Sequence, residues 1–533
     1  MKSVLTAVLV LGATPGVVSA ASSESGVSGF AQCKAVQGAN FSSVQDAPTQ
    51  VTEAKWVQPT GSVPRHCQVQ GYVTPQVGFE LLLPATDWNG KFIHMGNGGH
   101  GGGIWPGECS MPLARHYACL QSDMGHKGTG GDGLWAYNNL SAELDWGFRA
   151  THVATLAGKA ITESFYQKPV AHSYFSGCST GGRQAIQEAQ RFPWDFDGII
   201  AGAPPIRLAD LYVTFAWGQR VTHDTTGKPL LTIADLKLLT DGALARCDMD
   251  DGVRDGIISS PFQCPFRAAD LACKPGKTTA CLTPEKVKAA EQIYSGPVDA
   301  HGTSLFGAGA LPGSEYGGLW NTNAGGNWGI YYLGKDGAPA YYAPLTEQGL
   351  KVLFFSPSQA TNWNIQQFDF DRDYRRLDVM QSIYDSSNPD LSRFKAAGGK
   401  VLIYHGLNDL SILPHWIIRY YEKVERVMGG QAQTQSFARL FSLPGVEHCA
   451  GGPGADTVDY LTYLEGWVEQ GKAPDKLIAY HLKPKESESV VPNVPLARGE
   501  IEFSRPVYPY PIKAKYLGRG DPNDAANFGP SDH

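Results

Sequence analysis

The sequence predicts an α/β fold: a mostly parallel sheet with helices on both faces, split by one large insertion. Strand-like apolar runs alternate with helical periodicity from about residue 151 to 205. The alternation then stops for about 190 residues and resumes in the same style at Lys400. Strand–helix–strand alternation at this spacing favours parallel pairing with crossover helices. Composition agrees, since 533 residues with 42% hydrophobic and 18% charged side chains can fill a large core. The 62 Gly and 35 Pro imply long loops, yet stay below the share that marks disorder. A formal net charge of −7 argues against a nucleic-acid partner, because phosphate binding needs a basic surface.

The elements follow in order. Lys2, the apolar stretch Val4–Ala13 and Val18-Ser19-Ala20 read as a secretion signal spanning residues 1–20, so a secreted, extracellular protein is expected. No later run has the length of a membrane-spanning helix, and no membrane partner is expected. Strands are expected at His66–Val73, Phe79–Pro84, Lys91–Met95 and Tyr117–Ser122. A helix at Thr151–Phe165, a strand at Val170–Ser176, a helix at Thr180–Arg191 and a strand at Gly198–Ala203 come next. After the interruption, strands at Lys400–Tyr404 and Ala438–Leu443 alternate with helices at His415–Met428 and Thr457–Gln470. Residues 21–205 and 396–533 therefore read as one catalytic core. Residues 206–395 read as a folded lid domain, because a structureless loop of that length is implausible.

Gly177-Cys178-Ser179-Thr180-Gly181 fits G-x-S-x-G and falls where a strand turns directly into a helix. Small residues there permit a strained turn that lifts the serine hydroxyl above the sheet, at the positive end of the next helix. A serine nucleophile needs a base, and the base needs an orienting acid. In α/β-hydrolases the chain order is Ser, acid, His. The next two strands lead to His405-Gly406-Leu407-Asn408-Asp409 and to Pro444-Gly445-Val446-Glu447-His448. Asp409 and His448 are the natural choices. His405 precedes the acid and would reverse the order, and most of the remaining histidines read as ordinary polar or capping residues.

Ten cysteines suit an oxidising compartment. Cys178 precedes the serine and Cys449 follows the histidine, so a working Ser179–His448 pair would bring the two within disulfide reach. Sequons at Asn40-Phe41-Ser42 and Asn139-Leu140-Ser141 could carry glycans.

Cys178-Ser179, Asp409 and His448-Cys449 together resemble the CS-D-HC signature of the tannase/feruloyl esterase family, and the resemblance extends over nearly the whole chain, including Gly96-Asn97-Gly98-Gly99. It implies an α/β-hydrolase core under a lid and hydrolysis of phenolic esters. An oxyanion hole needs two N–H donors, one from the residue after the nucleophile, Thr180, and one from the loop after the third core strand. Lys91–Met95 runs into the glycine-rich stretch 96–103, and similarity to the family points to Gly99, with Gly98 next.

Asp248, Asp250, Asp251 and Asp255 crowd within eight residues. Clustered carboxylates repel unless a cation neutralises them, and oxygen ligands select Ca²⁺. The spacing is not that of an EF-hand. The stretch resembles the calcium loop in lids of this family, which implies ligands from the Asp248, Asp251 and Asp255 side chains and the Val253 and Ile257 carbonyls, a structural ion, and Asp250 pointing outward. Cys247–Cys264 and Cys273–Cys281 match the family's lid. Cys33, Cys67, Cys109 and Cys119 are left for the core, and their pairing as Cys33–Cys67 and Cys109–Cys119 is not derivable from sequence.

The leading expectation is a secreted serine esterase acting on feruloyl-type esters of plant cell-wall sugars. The alternatives are a tannase acting on galloyl esters and, from another class, a non-catalytic, calcium-stabilised carbohydrate binder. Aromatics between residues 206 and 395 (Trp217, Tyr316, Trp320, Trp328, Tyr331, Tyr332, Tyr341, Tyr342, Phe354, Phe355 and Trp363) suit either stacking on a phenolic group or the lid's own core.

Overall fold

The computed structural model describes residues 24–105, 107–276, 279–315, 326–334, 339–340, 342–483 and 501–531. The signal segment and Tyr316, Trp320 and Tyr341 lie outside the described residues.

Among the described residues nine strands form one sheet: β1 (Thr49–Val57), β2 (His66–Val73), β3 (Val77–Pro84), β4 (Lys91–Met95), β5 (Ala118–Ser122), β6 (His172–Cys178), β7 (Gly198–Gly202), β8 (Lys400–Gly406) and β9 (Ala438–Leu443). Their order is β1-β2-β3-β5-β4-β6-β7-β8-β9. The pairs from β1 to β5 through β3 are antiparallel, and β5-β4-β6-β7-β8-β9 is parallel throughout. β1 was not read from the sequence. Its run Thr-Gln-Val-Thr-Glu-Ala-Lys-Trp-Val carries charges at an exposed sheet edge, where few apolar contacts are available to mark it.

Neighbouring residues of the parallel strands divide between two cores. Phe92, Phe175, Ile199, Val401 and Leu440 belong to one, and Ile93, Tyr174, Ile200, Leu402 and Phe441 to the other. Strands buried on both faces read as continuous apolar runs, which is why the sequence showed them. Helix α1 (Ala150–Tyr166) and α2 (Thr180–Arg191) cover the first face, and α5 (Pro414–Met428) joins them there. Helix α6 (Tyr460–Gln470) covers the second. It starts at Tyr460, three residues later than the sequence reading placed it. Asp459 caps it by accepting the Thr462 N–H at 3.1 Å, while Thr457 pairs with Tyr480 in an antiparallel bridge.

Between Gly202 and Lys400 the described residues add no strand to the sheet, although β7 and β8 are direct neighbours. The chain folds there into helices, among them α3 (Leu208–Val221) and α4 (Ile233–Cys247). Trp217, Trp328, Tyr331, Tyr332, Phe354, Phe355 and Trp363 are buried in the same apolar cluster as Phe92 and Phe175 of the sheet. These seven side chains serve packing, whereas Tyr342 of the same set lines a cavity. Past α6, two further strand pairs, Leu477–Leu482 with Ile501–Val507 and Lys513–Tyr516 with Phe528–Ser531, close the C-terminal end.

All ten cysteines are paired: Cys33–Cys67, Cys109–Cys119, Cys178–Cys449, Cys247–Cys264 and Cys273–Cys281.

Candidate active site

Three glycines let the nucleophile turn form. A Cβ on Gly177 would stand 2.7 Å from Gly181 Cα, and one on Gly96 would meet the same atom at 2.7 Å. The ends of β4 and β6 and the start of α2 can pack this closely because all three positions lack side chains. Ser179 sits at their junction with φ 62° and ψ −122°, a strained conformation for a residue with a side chain. The neighbouring chain holds it there. Its N–H donates to Gly202 O at 3.0 Å, and its carbonyl accepts the Arg183 N–H at 3.0 Å.

Asp409 follows β8 and His448 follows β9, so both reach the same sheet edge as Ser179. His448 Nδ1 lies 2.9 Å from Asp409 Oδ2. The other carboxylate oxygen accepts the Ile412 N–H at 2.9 Å, which fixes the acid's orientation. His405 is fully buried, with Nε2 2.7 Å from Ile412 O and 3.6 Å from Asp409 Oδ2. Burial lowers its pKa, so it packs behind the acid as a neutral ring.

The Cys178–Cys449 bridge, with Cα atoms 5.9 Å apart, ties the residue before the serine to the residue after the histidine. Ser179 and His448 face one cavity of about 740 Å³. Ser179 Oγ makes no hydrogen bond among the described residues, as is common before substrate enters. A second cavity of about 500 Å³, between the C-terminal strands and the stretch 251–263, contains none of Ser179, Asp409 and His448.

Gly98, Gly99 and Thr180 also line the cavity that Ser179 and His448 face. Among the described residues their N–H groups have no protein acceptor, whereas the flanking Asn97, His100 and Gly181 N–H groups donate to Gln184 Oε1, Gly130 O and Asn97 O. Thr180 Oγ1 donates to Gly99 O at 2.6 Å, binding the two loops together. Gly99 has φ 55°, and a Cβ there would approach Gly130 O to 2.4 Å.

Two features escaped the sequence reading. His100 is fully buried, and its Nε2 lies 2.6 Å from the Tyr212 hydroxyl of α3, joining the glycine-rich loop to the 203–399 region. Burial pulls its pKa down to about 4, so it is a neutral structural ring and not a capping residue. Glu108 lines the cavity as well, in a stretch with no motif.

In the aspartate loop, Asp248 Oδ1 accepts the Asp255 and Gly256 N–H groups, and Asp251 Oδ1 accepts that of Val253. Asp255 Oδ2 pairs with Arg505 at 2.6 Å, and Asp250 is exposed. Burial raises the Asp255 pKa. Val253 and Ile257 are buried, and among the described residues their carbonyls accept no hydrogen bond. Hard oxygen donors left free in this way fit a calcium ion in kind. The three Asp side chains do not themselves converge. Among the described residues the one set of three metal-ligating side chains with all donor atoms within 4.8 Å is His152, Glu188 and Asp195, where His152 Nδ1 and Asp195 Oδ2 are already 2.5 Å apart.

A strained serine at a strand-to-helix turn, a buried acid on the next strand end but one and a histidine on the last define the α/β-hydrolase class. Residues 61–530 match the family described as tannase and feruloyl esterase, and the chain belongs to it; the protein is a carboxylic ester hydrolase. It is 33% identical to the mono(2-hydroxyethyl) terephthalate hydrolase of Piscinibacter sakaiensis, over 93% of this chain and 91% of that one. It is 32% identical to a probable feruloyl esterase of Arthroderma benhamiae, over 86% and 83%. The crystal structure of feruloyl esterase B from Aspergillus oryzae superposes with a TM-score of 0.80 at 27% identity, covering 94% of this chain and all of that one.

Proposed function

We propose that the protein is a secreted serine esterase that hydrolyses feruloyl-type esters of plant cell-wall sugars through an acyl-enzyme. Ser179 attacks the ester carbonyl while His448 takes its proton and then returns it to the leaving alcohol. Asp409 holds the ring in the tautomer that accepts at Nε2 and stabilises its charged form. The Gly99 and Thr180 N–H groups receive the oxyanion, with Gly98 beside them. Water then repeats the sequence on the acyl-enzyme. The observation that carries this reading is the corner where His448 meets Asp409 at 2.9 Å while Cys178–Cys449 bonds that histidine's neighbour to the serine's.

Several observations support the finer parts. Relatives whose names say feruloyl esterase span most of this chain, and apolar side chains from residues 203–399 line one wall of the cavity, as an aromatic acyl group requires. We read residues 206–395 as a lid domain for the same reason. Five disulfides suit export, and the sequon residues Asn40 and Asn139 are exposed for glycosylation. Asp248, Asp251 and Asp255 with the Val253 and Ile257 carbonyls would hold a structural Ca²⁺, which would offset the repulsion of the crowded carboxylates.

The test is release of acid from methyl ferulate and methyl gallate by the wild type and by Ser179→Ala. Ferulate release that the variant abolishes is expected. Preference for the gallate would make the enzyme a tannase. Full activity in Ser179→Ala would remove the mechanism.

A further inference from the structure

The two walls of the catalytic cavity differ in chemistry. Leu211, Phe215, Tyr342, Pro344 and Leu345, all from the 203–399 region, make one wall apolar. The sheet side supplies Glu108, Met111 and Tyr404. Glu108 is partly buried and, among the described residues, its carboxylate has neither a hydrogen-bond donor nor a cation. Burial raises its pKa, with no other cause acting on it. Nearby, the Tyr404 ring is clamped against Tyr460 at 4.2 Å, and the Tyr404 hydroxyl likewise has no hydrogen-bond partner among the described residues. Both side chains line the cavity that Ser179 and His448 face.

Neither Glu108 nor Tyr404 is among the residues with a sealed, unpartnered polar atom, so both face the open cavity, and a ligand that shields them from water must replace the hydrogen bonds they lose. The group that replaces water at the carboxylate must donate a hydrogen bond. We propose that Glu108 and Tyr404 form a polar subsite that holds a hydroxyl of the leaving alcohol. The alcohol O–H donates to the Glu108 carboxylate, and the Tyr404 O–H donates to the alcohol oxygen. An aromatic acyl group buries best against the apolar wall, which leaves the polar wall to the alcohol. The inference rests on the reading of the substrates as esters of polyhydroxylated alcohols and deepens it, because it names the residues that distinguish such an alcohol from methanol.

Three substrates test this: methyl ferulate, 2,3-dihydroxypropyl ferulate and methyl 3,4-dimethoxycinnamate. The quantity read is the kcat/KM ratio of the dihydroxypropyl to the methyl ester of ferulic acid. It should fall at least about tenfold in Glu108→Ala, since hydrogen bonds to charged groups give discrimination of this order, and by less in Glu108→Gln, which keeps an acceptor. Tyr404→Phe preserves the ring stack and should lower the same ratio, which covers the case that Glu108→Ala folds poorly. An unchanged ratio in these variants overturns the subsite. A change confined to the ratio of methyl ferulate to its dimethoxy analogue also overturns it, because the carboxylate would then face the phenol of the acyl group. Turnover of the two ferulate esters by the wild type reports separately on the underlying reading, and absence of turnover for both overturns that reading and the subsite with it.

Discussion

The sheet-side wall of the catalytic cavity and the wall from residues 203–399 are built by different means. On the sheet side, position is set by backbone and covalent bonds: strand register, the Ser179 N–H on Gly202 O, the Asp409 carboxylate on the Ile412 N–H, and the Cys178–Cys449 bridge. On the other side it is set largely by side-chain packing, with aromatics stacked on one another, such as Tyr331 on Tyr342 at 4.3 Å, and by polar ties such as those from Tyr212 to His100 and from Tyr384 to Glu143. The contrast teaches where chemistry and selectivity reside. On the proposed mechanism, catalytic geometry sits on turns anchored to the sheet, and substrate selection falls to packed side chains that can be exchanged.

Breaking the rigid side should have the largest effect. Asp409→Asn removes the charge that steadies His448 and should cut kcat by a factor on the order of 10³–10⁴ with little change in melting temperature. Steady-state kinetics on any accepted ester would measure this.

The His100–Tyr212 tie should respond to acid. His100 has a pKa of about 4 in the folded state against an ordinary value of 6.5. Its contribution to stability is therefore present above pH 6.5 and is lost as pH falls through about 4, on the order of 3 kcal/mol at a fully buried site. Wild-type melting temperature should drop across that window, and His100→Gln, which cannot be protonated, should show a shallower drop. Equal slopes would mean that His100 is not the group responsible.

Weakening the packed wall should change binding more than chemistry. Phe215→Ala or Tyr342→Ala should raise KM for an aromatic ester roughly tenfold, the scale of a lost aromatic contact with its burial, while kcat moves less. A selective loss of kcat would place these side chains in the transition state instead.

The smallest expected effect concerns the aspartate loop. A cation bound only by the folded state stabilises it by mass action, so chelation should lower the melting temperature by a few degrees. Asp251→Ala should lower it similarly and make it insensitive to chelator. Metal analysis that finds no calcium, with no chelator effect, would remove the ion.

The same division explains what the sequence revealed. β4, β6, β7, β8 and β9 announce themselves as apolar runs because both faces are buried, and Ser179, Asp409 and His448 lie at their ends, where strand position alone predicts proximity. Cys178 and Cys449 are adjacent to those residues, so their pairing was visible across 271 positions. Edge strand β1 and the C-terminal strand pairs bury too little apolar surface to stand out. His100–Tyr212 and Glu108 were invisible for another reason. A long-range contact between a loop and a helix from the inserted region leaves no periodicity, and an unpartnered carboxylate reads in sequence as any surface glutamate.

The central claim is that the Cys178–Cys449 bond couples the fold to catalysis by holding Ser179 against His448. On the loop-entropy model its closure of the intervening chain is worth at most about 5–6 kcal/mol of stability. The catalytic contribution is separable from that. The most direct measurement compares kcat and KM of Cys178→Ala/Cys449→Ala with wild type at a temperature where both are folded, alongside a non-reducing peptide map of the wild type. The account predicts that the two segments are recovered linked and that kcat falls more than KM rises, because loosened Ser179–His448 geometry impairs the transition state more than binding. Free thiols at both positions in active enzyme, or a double variant with undiminished kcat, would contradict it.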